Sequence, residues 1–280
     1  MLKLLVCVVA ALISTGAVNA QSAPTKKTGV LLVHYGTRND ASRQATIEKI
    51  NAMAAERFAG CEVVEAYAAA AVIKALAKQG VHKPTIAQAL DSLVARGCEN
   101  AVVQTTMLLD GVMNDIVKNE VKNYSDKFKH TAVGLPLLYS VDDCRRMLDV
   151  IDSHIHPQAD EQVVIVGHGS DSPANAIYSQ LACLAQLEGR PLWHVGTIEG
   201  FPTLENVMAQ LARSPHKKVA VVPLLFIAGN HNRDDIRGEW GEALSAAGYS
   251  VRFIDEGLGE IPAIQQSILS KIDQSIKNIK

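Results

Sequence analysis

VVIVGHGSDSPANAIYSQL, residues Val163 to Leu181, is the stretch whose reading decides the fold. Val163 to Val166 are four β-branched residues in a row without a polar break. That is the pattern of a strand buried on both faces, as in a parallel sheet. The strand runs into Gly167-His168-Gly169-Ser170, where glycines on either side leave one imidazole uncrowded. Asp171, Ser172 and Pro173 then supply cap donors and a helix-initiating proline ahead of an apolar-periodic run from Ala174 to Leu187. In open α/β sheets, ligands bind at the carboxyl ends of strands. His168 therefore stands where chemistry is done.

The same alternation extends in both directions. Before it, strands are expected at Gly29–His34, Glu62–Tyr67, Ala101–Met107 and Thr131–Leu138. The helices between them are expected at Asp40–Phe58, Ala68–Gln79, Thr85–Ala95 and Val112–Phe128. After a joining helix at Val141–Ser153 the series restarts. Strands are expected at Val163–Val166, Pro191–Val195, Lys218–Ile227 and Val251–Ile254. Helices are expected at Ala174–Leu187, Leu204–Leu211, Asp234–Ala246 and Pro262–Ile279. Strands alternating with helices of this length make βαβ units and a parallel sheet. Two internal echoes point to duplication. His34-Tyr35-Gly36-Thr37 parallels Gly167-His168-Gly169-Ser170, and Val102–Ile116 parallels Val221–Ile236. The expected fold is α/β, with two similar domains, each a four-stranded parallel sheet flanked by helices, and a cleft between them.

Composition excludes several function classes. The 280-residue chain is 48% hydrophobic and 20% charged, with a formal net charge of −2. Nothing in that balance attracts nucleic acid or an anionic membrane surface. Lys3, the apolar run Leu4–Ile13 and the Val18-Asn19-Ala20 cleavage pattern read as a signal peptide over residues 1–20. A periplasmic location follows, with no membrane insertion after cleavage. Cys61, Cys98, Cys144 and Cys183 then form an even set that permits disulfides. Cys98 and Cys183 fall in apolar or helical surroundings, as buried thiols do. Domains are expected at 29–140 and 141–280, the second carrying the site and its last helix packing back across the halves. Self-association into a homo-oligomer is left open.

Three residues of the second half share the setting of a site. His168, Glu199 in HVGTIEGFP and His231 in LLFIAGNHNRDDI each follow a strand and sit beside glycine. A parallel sheet gathers all its carboxyl ends on one edge, so the three converge. Two imidazoles and a carboxylate suit zinc, cobalt, nickel or iron. They also accept protons near neutral pH. Taken singly, each also reads as a capping or solvated residue. Ser170 lies outside any G-x-S-x-G elbow, and no glycine cluster fits a dinucleotide or P-loop fingerprint. His34 reads equally as a cleft residue and as a buried one. Met107 and Met113 read as packing, with a soft sulfur available at the cleft lip.

The motifs GHGSDSPANAIY, GTIEGFP, PLLFIAGNHNRDDI and LGEIPAIQQSIL, with LLVHYGTRNDASR and EAYAAAAVIKALAKQG in the first half, resemble the anaerobic sirohydrochlorin cobaltochelatase family over Gly29–Leu269. The resemblance implies a ferrochelatase-like fold and insertion of Co²⁺, alternatively Fe²⁺, into a tetrapyrrole such as sirohydrochlorin without a nucleotide. It implies His168, Glu199 and His231 as metal ligands. His168 and then Glu199 are the expected proton acceptors; Arg38, Arg43 and Arg233 are available to meet substrate carboxylates, but each also reads as a solvated surface residue, Arg43 above all. The chain departs from the family pattern where a histidine is expected in the third strand: Met107 closes Gln104-Thr105-Thr106-Met107. The export signal is a second departure, and with the missing histidine it keeps open the alternative of a periplasmic haem, tetrapyrrole or metal carrier without turnover.

Overall fold

The computed structural model describes residues 28–279. The signal-peptide reading lies outside the described residues. Strands β1 (Thr28–His34), β2 (Glu62–Tyr67), β3 (Asn100–Thr105) and β4 (His130–Val133) form one parallel sheet in the order β2-β1-β3-β4. Strands β5 (Glu161–Gly167), β6 (Trp193–Thr197), β7 (Lys218–Leu224) and β8 (Ser250–Phe253) form a second in the order β6-β5-β7-β8. The two orders are the same topology repeated.

The central strands β1 and β5 are buried along their whole length. Alternate residues feed opposite faces. Val164 and Val166 enter an outer core with Trp240 and Leu244, while Val163 and Ile165 enter a core that also holds Val30, Leu32 and Val102 of the first sheet. The largest core is thus common to both halves. Each fully buried valine or isoleucine contributes about 2 kcal/mol of transfer free energy. The helix Val141–Ile155, opened by a capping box between Ser140 and Asp143, supplies Cys144, Met147, Leu148 and Ile151 to the same core. The last helix, Pro262–Asn278, adds Ile264, Ile268 and Ile272 and pairs Asp273 with Arg57 of the first half.

Several boundaries differ from expectation, for identifiable reasons. β5 starts two residues earlier, because Glu161 and Gln162 are buried polar groups with partners. Arg252 donates to Glu161 at 2.7 Å, and the Gln162 carbonyl lies 3.1 Å from His194. β7 stops at Leu224 rather than Ile227, and Leu225–Ile227 leave the sheet to line a cavity. The helices expected at Asp40–Phe58 and Asp234–Ala246 each contain wide π turns, at Gln44–Glu48 and Asn232–Trp240. Cys98 is buried as expected, but Cys183 is exposed. Among the described residues Cys61, Cys98, Cys144 and Cys183 are all free thiols.

Candidate functional site

The carboxyl ends of β1, β3, β5, β6 and β7 border one cavity of about 580 Å³ between the two sheets. His168, Glu199 and His231 all line it. His168 follows β5 directly. Its imidazole meets that of His231 edge to face, with ring centroids 4.7 Å apart and an interplanar angle of 81°. Residues 63 positions apart in the chain are therefore in contact.

The hydrogen bonds fix what each ring offers. The Nδ1 of His231 donates to the Asp235 carboxylate at 2.7 Å, and the Nδ1 of His168 faces the Gly169 carbonyl at 3.3 Å. Both partners are acceptors, so both Nδ1 atoms carry the proton. Each Nε2 keeps a lone pair for a metal or a proton. Asp235 lies one helical turn past His231, a spacing that carried the signal but was not read from sequence. Asp235→Ala is expected to weaken Co²⁺ binding by roughly 10- to 100-fold in a competition titration.

Glu199 reaches the cavity through a tight loop. Its backbone N–H donates to the His168 carbonyl at 2.7 Å. Asn175 ties the same two loops together: its carbonyl accepts from Ser170 N–H at 3.0 Å, and its amide donates to the Phe201 carbonyl at 2.8 Å. Gly169 has φ +94°, and a Cβ there would lie 1.8 Å from the Glu199 carbonyl oxygen. The loops can approach this closely only around glycine. The Glu199 side chain itself is exposed. Among the described residues, no three His, Cys, Asp or Glu side chains sit close enough to hold one ion together. The three candidate ligands share a cavity without forming a closed cage.

The first half presents different chemistry at the equivalent positions. Gly36 has φ +102°, matching Gly169, so Tyr35 is the counterpart of His168 and His34 that of Gly167. Leu137 N–H donates to Met107 O as Leu258 N–H donates to Leu225 O. That register, carried along the following loops, sets Met113 opposite His231 and shifts the second sequence echo by one residue.

His34 borders the cavity yet is fully buried. Asn51 donates its amide to Glu65 at 2.8 Å, so its carbonyl, 3.0 Å from the His34 Nε2, accepts from that ring. Nδ1 is left to accept from Thr106 Oγ1 at 3.1 Å. Burial pushes the His34 pKa down from 6.5 to about 4, against the opposing pull of Asn51 and Glu65. The unfolded chain thus takes a proton near pH 6.5 that the folded chain refuses until about 4. Stability carried by neutral His34 is complete above the unfolded pKa and lost as pH falls through this window, by ~3 kcal/mol. Urea midpoints measured across that range should fall for the wild type and flatten for His34→Gln.

Of the three arginines, Arg43 is buried against Asp40 and Glu48 and cannot reach a ligand. Arg233 pairs with Asp234 at 2.7 Å. Arg38 is exposed, one residue past Thr37 of the cavity wall.

The family model described as "Cobalt chelatase (CbiK)" matches residues 28–277. The chain belongs to the cobalt chelatase family. It is 29% identical over 236 residues to the sirohydrochlorin cobaltochelatase CbiKC of Nitratidesulfovibrio vulgaris, covering 81% of this chain and 83% of that one. It is 28% identical over 261 residues to the sirohydrochlorin cobaltochelatase of Salmonella typhimurium, covering 89% and 97%. Among solved structures, SirB from Bacillus subtilis with Fe³⁺ superposes with a TM-score of 0.67 at 17% identity, covering 90% of this chain and 96% of that chain. The cobalt complex of the sirohydrochlorin chelatase SirB from Bacillus subtilis subspecies spizizenii superposes at 0.65, with the same identity and coverage. Those two likenesses establish the chelatase fold. The protein is accordingly a metal chelatase, a lyase.

Proposed function

We propose that this chelatase inserts Co²⁺ into a tetrapyrrole at the cavity edge where His168, Glu199 and His231 gather. Sirohydrochlorin, named for both relatives, is the reference macrocycle. Fe²⁺ is the alternative ion. The observation that carries the reading is the pair of imidazoles in contact, each with Nδ1 committed to an acceptor and Nε2 left free.

The ion is substrate, so it must be held and then released. An open set of two imidazoles and one carboxylate does this better than a closed tetrahedral site. Two pyrrole N–H protons leave as the metal enters the ring. Once His168 gives up the ion, its Nε2 accepts one proton and Glu199 accepts the second. Both protons then pass to solvent. No nucleotide takes part in this scheme, in keeping with glycine stretches that fit no phosphate-binding fingerprint. On the N-terminal sequence alone, we place the reaction in the periplasm.

The test is anaerobic mixing of the full chain with excess tetrapyrrole and Co²⁺, followed by absorbance. Product many-fold beyond the protein present supports the reading. A shift that stops at one equivalent, with no turnover, overturns it in favour of a carrier.

A further inference from the structure

A second hollow, of about 350 Å³, lies between the joining helix Val141–Ile155 and the last helix Pro262–Asn278. It shares no lining residue with the cavity between the sheets. The titratable groups that line it are Asp143, Arg146 and Lys271. The Asp143 and Lys271 side chains are 7% and 12% exposed, so both charges are largely withdrawn from water. The Asp143 carboxylate is saturated. Its Oδ2 accepts from the Ser140 N–H at 3.0 Å and the Ser140 hydroxyl at 2.8 Å, and its Oδ1 accepts from Arg146 at 2.8 Å and Lys271 at 3.1 Å. Burial pushes this carboxyl pKa up, but the donors of Arg146, Ser140 and Lys271 outweigh it and hold it at about 2. One negative charge therefore faces two positive ones.

The donors, unlike the acceptor, are not saturated. Lys271 and Arg146 each give one hydrogen bond, both to the same oxygen, and neither side chain has another partner among the described residues. An ammonium carries three N–H donors and a guanidinium five, so most of them are unused. A largely buried ammonium with unused donors is costly until an acceptor reaches it. Beside this cluster the wall is apolar, with Met147 and Ile264 buried in it and Val150 half-buried. Leu135 also lines the hollow and is 46% exposed, and Tyr139 and Val141 stand exposed on either side of the lining residue Ser140. An enclosed apolar wall with a few converging polar groups at one end is the usual form of a small-molecule site.

We propose that this hollow binds a small amphipathic carboxylate, with its head on Lys271 and Arg146 and its apolar body along Met147, Val150 and Ile264. A single negative charge is what the cluster lacks, so a monoanion brings it to neutrality. A cationic head of the same size meets the excess positive charge and is refused. The site goes beyond metal insertion and stands whether or not the chain turns over a tetrapyrrole.

Octanoate, 1-octanol and octylamine carry the same chain on different heads, so they separate charge from apolar burial. Calorimetric titration of the full chain should show one octanoate site, at least about tenfold tighter than octanol, as expected for a charge-assisted hydrogen bond. Octylamine should not bind. Lys271→Met should bring octanoate down to the affinity of octanol. That variant also strips a partner from buried Asp143, so Arg146→Gln, at a side chain 64% exposed, is the second test. It should weaken octanoate about three- to tenfold with an unchanged thermal melt. Ala263→Trp fills the hollow from an exposed lining position and should abolish binding. Octanoate that binds no tighter than octanol, or not at all, would overturn the proposal. So would binding that survives Ala263→Trp, which would place the ligand in the cavity between the sheets instead.

Discussion

His168→Ala should cut the rate of cobalt insertion by roughly 10²- to 10⁴-fold, the span expected when a proton acceptor is removed. The loss is compounded because the same Nε2 is one of the ion's candidate ligands. Stability should hardly move. The His168 ring is half-buried, its ring nitrogens bond only the carbonyl of Gly169, and its neighbour His231 keeps its own anchor on Asp235. Initial rates under anaerobic conditions and a thermal melt on the same preparation check both halves of this expectation. A variant that keeps a wild-type rate would remove His168 from the chemistry, whatever its melting temperature. A variant that loses its rate together with its fold would point instead to a structural role.

Gly169→Ala is the second large effect, and it acts through the backbone. At φ +94° an alanine is strained, which alone costs about 1–3 kcal/mol. The new Cβ would also sit 1.8 Å from the Glu199 carbonyl oxygen, where something must shift. Total destabilisation of about 3–5 kcal/mol is expected in urea unfolding. The loops carrying His168 and Glu199 would be forced apart in whatever folded protein remains. Gly189→Ala is the control. It shares a positive φ, +82°, but meets nothing within 4 Å, so about 1–2 kcal/mol is expected. Equal losses at the two glycines would mean that the loop contact has no consequence.

That His168, Glu199 and His231 border one cavity was legible in the sequence because one rule sufficed. Parallel strands put their carboxyl ends on one edge, and His168, Glu199 and His231 each follow such an end beside a glycine. The two parallel sheets were equally readable, since Val30–Val33 and Val163–Val166 are continuous apolar runs, though the strand orders were not. What escaped reading depends on groups that acquire meaning only in three dimensions. Glu161 and Gln162 look like loop residues until Arg252 and His194 arrive from other elements. Asn175 looks like a first-turn helix residue, but it clamps two loops through Ser170 and Phe201. The ambiguity of His34 resolves toward burial, because Asn51 and Thr106 occupy both ring nitrogens. The π turns have no periodic signature in either helix, and the apolar cavity wall draws on five strand ends at once. Two further readings changed. Arg43 carries the right charge for a substrate carboxylate but is enclosed by acids of its own helix, and Cys183 sits on the outward side of the helix Ala176–Leu187.

Cobalt anomalous scattering from a crystal soaked with Co²⁺ tests the central claim most directly. One ion should lie in the cavity within coordination distance of the Nε2 atoms of His168 and His231, with the Glu199 carboxylate swung in to complete the set. An ion bound elsewhere, or bound here with those imidazoles turned away from it, would contradict the proposed site.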